Sequence, residues 1–125
     1  MEEIKRYFTP QEANRTLPLV KKIVYDILDE GKHVKEFDFT TPEQLQENPE
    51  MRERLDRIKS YIEELAEIGC FYKDWNFTIG LVDFPSVIDG RDVLLCWRSD
   101  EEYVSYYHDY ESGYIGRKRI PEALL

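Results

Sequence analysis

At 125 residues, with 42% hydrophobic and 14% aromatic content, the chain suffices for one modest core and is read as a single domain over residues 1–125. Its 26 acidic and 17 basic residues leave a formal charge of -9, which repels phosphate backbones and excludes a general nucleic-acid binder. No apolar run approaches the ~20 residues of a membrane span, the opening MEEIKRYFTP has no apolar signal core, and Cys70 and Cys96 make no disulfide framework, so a cytoplasmic protein with reduced thiols and no membrane partner is expected.

The first half, residues 1–69, carries helical spacing. Thr9-Pro10-Gln11-Glu12 is a helix start: Thr9 can cap, Pro10 suits the first helical position, and Glu12 can reach back to close a capping box. Ala13, Leu17, Val20, Val24 and Ile27 then recur at steps of four and three, a narrow seam of the kind seen in coiled coils. Pro18 interrupts this helix and is expected to kink it. Gly31 is read as its stop. Thr41-Pro42 can begin a short turn, and Pro49 opens or precedes a second helix whose seam is Met51, Leu55, Ile58, Ile62 and Leu65. Gly69 is the second stop. Helices over 10–30 and 50–68, each ~30 Å long at ~1.5 Å per residue, predict an antiparallel hairpin with 32–48 as its connection. Ile23, Leu28 and Tyr61 widen the apolar stripe, which must meet the sheet or a second chain.

Beyond Gly69 the period changes. CFYKDWNFTI is aromatic-rich, GLVDF and VLLCW are short apolar runs, and YVSYYH favours strands. Asp89-Gly90 is a hairpin turn signal, and Ser99-Asp100-Glu101-Glu102 is a second, polar turn. Three or four antiparallel strands are expected over residues 70–125, ending in a glycine-punctuated tail with room for one more extended piece. The fold class is therefore α+β: a long antiparallel two-helix hairpin followed by a small antiparallel β-meander.

FTPQEANRTLPLV at the start, then GLVDFPSVIDGRDVLLCW, YYH and GYIGR in that order, resemble the bacterial and archaeal proteins grouped as domain of unknown function 2203. Residues 32–48 depart from its longer, more continuous helices, Tyr107 stands in place of a tryptophan, and Tyr114 in place of a common phenylalanine. The resemblance implies a small cytosolic protein with a helical hairpin and a sheet, and brings no established activity. The positions it marks here are Gly80, Asp83, Pro85, Gly90, Arg91, Trp97, His108, Gly116 and Arg117.

Polar residues inside the strand-forming half are the site candidates. Asp83 lies in the most apolar run, where an unpaired charge would cost ~5 kcal/mol or more. It caps backbone amides or pairs with an arginine, or else it binds a ligand or metal. His108 closes YYH and suits acid–base work or metal ligation, with an ordinary structural role as the alternative. No HxH, HExxH or CxxC occurs, which argues against zinc. A looser set of Asp83, His108, Asp109 and Glu111 would favour a harder cation such as manganese or magnesium. Cys96, in VLLCWR, reads as an inward-facing small hydrophobe. Gly113 and Gly116 bracket Tyr114 and lead into Arg117-Lys118-Arg119, which can hold a phosphate or carboxylate or merely offset Asp109 and Glu111. Arg98 ends its own run.

Two functions follow. One is a non-enzymatic interaction or scaffold protein, a homodimer using the broad helical stripe. The other is a small-molecule- or metal-binding protein or enzyme with a pocket around Asp83, His108 and Arg117, with Arg98 and Tyr114 nearby and a small anionic ligand. The residues name no cofactor and no reaction.

Overall fold

The structure is a computed structural model that describes residues 3–38 and 40–125. Helix α1 spans Pro10–Glu36, α2 Pro42–Glu47 and α3 Pro49–Ile68. Five strands follow: β1 Phe71–Tyr72, β2 Leu81–Ile88, β3 Arg91–Arg98, β4 Tyr106–His108 and β5 Lys118–Arg119. They form one antiparallel meander in the order β1-β2-β3-β4-β5. The extended piece for which the tail has room is β5, which joins the sheet as its fifth strand. None of the described helices is long and apolar enough to cross a membrane.

The helix starts follow the sequence signals. Thr9 accepts from the Glu12 amide at 3.1 Å while the Glu12 carboxylate accepts from the Thr9 amide at 2.8 Å, completing the capping box. Asn48 accepts from the Met51 amide at 3.1 Å and starts α3. At the other end Gly69 adopts φ 111°, a left-handed cap whose N–H reaches the carbonyls of Leu65 and Ala66.

The proline at position 18 lies on an exposed face within α1, which runs through it as one element. One expectation changes: Gly31 does not end α1, which continues to Glu36. A Cβ at Gly31 would overlap the Phe77 ring, so this glycine marks a close approach of the β1–β2 connection to the helix rather than a stop. The expected connection over 32–48 thus becomes the last turn of α1 plus α2; Phe39 within it lies outside the described residues, as do Met1 and Glu2.

Helices α1 and α3 lie antiparallel, since the end of one meets the start of the other. Buried Glu30 takes Arg54 at 3.0 Å and also binds Arg57, joining late α1 to early α3. The α1 seam is buried throughout, and Met51, Ile58 and Leu65 are its buried partners on α3. Ile23, Leu28 and Tyr61, which widen the stripe, pack into this chain's own core. The sheet supplies the other side of that core: Val82, Phe84 and Ile88 from β2, and Val93, Leu95 and Trp97 from β3.

The alternating residues point to the opposite, outer face. Asp83 pairs in register with Cys96 and Phe71, and Leu94 with His108. That register is set by the Asp89-Gly90 turn, whose residues both have positive φ, 53° and 77°. Pro85 sits where β2 has passed the end of β1. There its carbonyl accepts from the Phe8 amide at 2.7 Å, and its missing N–H costs no strand pairing.

Asn14 clamps α1 to the β3–β4 connection. Its side chain donates to the Val104 carbonyl at 3.0 Å and accepts from the Val104 amide at 2.8 Å, and Val104 is fully buried. Asn14→Ala would leave both groups without a partner, and each buried orphan costs roughly 1–3 kcal/mol. Chemical denaturation of Asn14→Ala is expected to show a loss of about 2–4 kcal/mol; a midpoint equal to that of the unsubstituted protein would refute the clamp.

Candidate functional site

On the outer face of the sheet lies a cavity of about 620 Å³. The strands contribute Phe71, Leu81, Asp83, Leu94, Cys96 and His108 to it. Ile4 and Lys73 enter from the segments flanking the sheet, and Tyr110, Gly113 and Tyr114 from the segment after β4. The lining is mostly apolar and aromatic with a few convergent polar groups, the usual make-up of a small-molecule pocket.

The polar groups meet at one place. Asp83 and His108 are 5% and 4% exposed, and the His108 Nε2 lies 3.2 Å from Asp83 Oδ1. The other ring nitrogen, Nδ1, lies 2.8 Å from the backbone carbonyl of Asp109. A protonated imidazole therefore donates from both nitrogens, one to a carboxylate and one to a carbonyl. Burial by itself pushes the His108 pKa down, but the hydrogen bonds to Asp83, Cys96 and the Asp109 backbone outweigh it and raise the pKa to about 10. Asp83 thus answers the cost of its burial with a histidine instead of the arginine or backbone amides expected from sequence.

Cys96 completes the group. It is buried, but it faces the outer side beside Asp83, not the helices. Its Sγ and the ligand atoms of Asp83 and His108 all lie within 4.8 Å of one another. Among the described residues this is the one group of three that can hold a metal ion. The reading of Cys96 as an inward hydrophobe is corrected, since strand parity alone decides its face. The harder-cation set is not assembled either. Glu111 is exposed and outside the cluster, and the Asp109 carboxylate accepts from the Ser112 amide at 2.7 Å.

Of the remaining candidates, Tyr114 lines the cavity and its hydroxyl accepts from Arg98. Arg98 also holds Asp100 at 2.6 Å, so it braces the Tyr114 wall without lining the cavity. Arg117 is corrected more sharply. It is not part of the pocket, because its guanidinium binds Glu101 and stacks 3.9 Å from the Tyr106 ring centroid. Its side chain is 11% exposed, so it is a packed structural ion pair and not a loop arginine open to a phosphate. Sequence reasoning missed Cys96, Phe71, Leu81, Leu94 and Lys73. The strand alternation around Asp83 was the one signal for them, and it lacked a register.

Two outcomes follow. His108 is held above its ordinary value of 6.5, so its stabilisation is complete below that pH and is lost as pH rises towards about 10. For metal-free protein, the melting temperature is expected to fall between pH 6.5 and 10 more steeply than that of His108→Gln; parallel curves would refute the buried pair. Arg117→Ala removes the ion partner of Glu101, whose other oxygen still accepts from the Arg98 amide at 2.9 Å, and is expected to cost about 1–3 kcal/mol by denaturant titration. An unchanged midpoint would return Arg117 to the class of exposed loop arginines.

No curated protein matches the chain, and no solved structure does. One family, described as an uncharacterized conserved protein (DUF2203), matches residues 6–120, which takes in both helical seams, the whole sheet and every residue of the Asp83, Cys96 and His108 group. On that match, the chain belongs to the DUF2203 family.

Proposed function

We propose that this protein binds a small molecule in the outer-face cavity, with the ligand's anionic head group directed at His108 and its apolar body against Phe71, Leu81 and Tyr114. The observation that carries this reading is the buried Asp83–His108 pair on a cavity of about 620 Å³. The Glu30–Arg54–Arg57 cluster, by contrast, joins two helices and lines no part of that cavity. The Asp83–His108 pair opens on a space large enough for a small organic ligand.

Protonated His108 on the cavity wall supports an anionic head group. A homodimer scaffold built through the helices has less support, because Ile23, Leu28 and Tyr61 already pack into or against the chain's own core.

Benzoate and phenyl phosphate carry the required parts, an aromatic body and an anionic head. Thermal melts of the full chain with each are expected to show saturable stabilisation, about 2.7 kcal/mol at a hundredfold excess over Kd. His108→Gln and Tyr114→Ala should each weaken it at least tenfold. If neither probe shifts the melt, or if the variants bind equally well, the pocket reading fails.

A further inference from the structure

We propose, building on the pocket reading above, that Asp83, Cys96 and His108 form a binding site for a divalent ion of the zinc class, with one coordination position open to the cavity.

Geometry supports the donor set. Ligand atoms held about 2.0–2.1 Å from a tetrahedral ion lie about 3.3 Å apart, and His108 Nε2 and Asp83 Oδ1 stand 3.2 Å apart. Cys96 Sγ lies within 4.8 Å of both, so a small side-chain adjustment closes the third ligand onto the same point. The three residues come from adjacent strands β2, β3 and β4, and pairing holds their backbones in place. A site on paired strands is stiffer than one on loops.

The histidine is also oriented for this role. The Asp109 carbonyl takes the proton on Nδ1, which leaves Nε2 as the nitrogen aimed at Asp83 and Cys96. A metal-bound histidine characteristically has its second nitrogen held in this way. Metal entry releases the Nε2 proton and the Cys96 thiol proton, and the ion takes their place between the donors.

Donor chemistry chooses the metal. One sulfur, one imidazole and one carboxylate suit a borderline-soft ion and discriminate against magnesium and calcium, which take oxygen. Three protein ligands leave the fourth position of a tetrahedral ion free, as in sites where zinc holds water or a substrate. The same cavity is lined by Phe71, Leu81 and Tyr114, so the anionic head of a pocket ligand would take that position on the metal.

The test uses the full chain, stripped with a chelator and titrated with zinc(II) or cobalt(II) alone. One equivalent of zinc should bind, with a raised melting temperature. Cobalt should give an intense visible spectrum of a four-coordinate ion together with a thiolate-to-metal charge-transfer band. Cys96→Ser and Cys96→Ala should lose that band and bind zinc at least tenfold more weakly, with circular dichroism confirming that each is folded. Cys70→Ser should keep both. A folded, unsubstituted protein that takes up no zinc at a tenfold excess would overturn the site, and so would a cobalt adduct without the sulfur band or Cys96 variants of unchanged affinity. Benzoate binding that persists in a chain unable to take zinc would sink the metal alone. Zinc binding by a protein that takes neither benzoate nor phenyl phosphate would sink the pocket reading alone.

Discussion

The register between β2 and β3 is the constraint on which the rest of the structure depends. Leu81 to Ile88 pair one by one with Arg98 to Arg91 around the Asp89-Gly90 turn. This register puts Val82, Phe84, Leu95 and Trp97 under the helices and turns Asp83 and Cys96 outward. A slip of β2 by a single residue would exchange its faces, burying the Asp83 carboxylate beneath the helices and exposing Phe84. Hydrophobic burial and the cost of an unpaired charge act in the same direction, so this register is strongly specified.

Among the described residues, the buried or nearly buried charges are met by particular partners, and the partners differ in consequence. Glu30 is held by two arginines of α3, which fastens the helices together. Asp74 accepts from the amides of Asn76, Thr78 and Ile79 and shapes the β1–β2 connection. Arg117, bound to Glu101 and stacked on Tyr106, ties the tail to the β3–β4 connection. These three serve the fold. The Asp83–His108 pair differs because it lies on a cavity with a thiol beside it.

Much of the scaffold was legible. The Thr9 capping box, the Gly69 cap and both apolar seams are local signals, and local hydrogen bonding and helical periodicity realise them directly. Errors arose where a residue's role depends on something distant in sequence. Gly31 looks like a stop in isolation, but the crowding by Phe77 that explains it comes from another segment. Arg117 looks like an accessible loop cation until Glu101 and Tyr106 close around it. The candidate site suffered most. Its donors are spread over three strands with none of the short spacings that mark metal motifs, and Cys96 within VLLCW is indistinguishable from a core thiol.

By itself the sequence determined the α+β class, the order of helices before strands, the seams that form the core and the turn between β2 and β3. Those properties depend on neighbours within a few residues, where backbone propensity and side-chain period act. It also singled out Asp83 and His108 as residues in need of explanation. Tertiary structure alone decided that they meet, that Cys96 joins them and that Arg117 does not. Such meetings depend on strand parity and on contacts between segments far apart in the chain. A one-residue difference in register reverses them, and no local pattern records which register prevails.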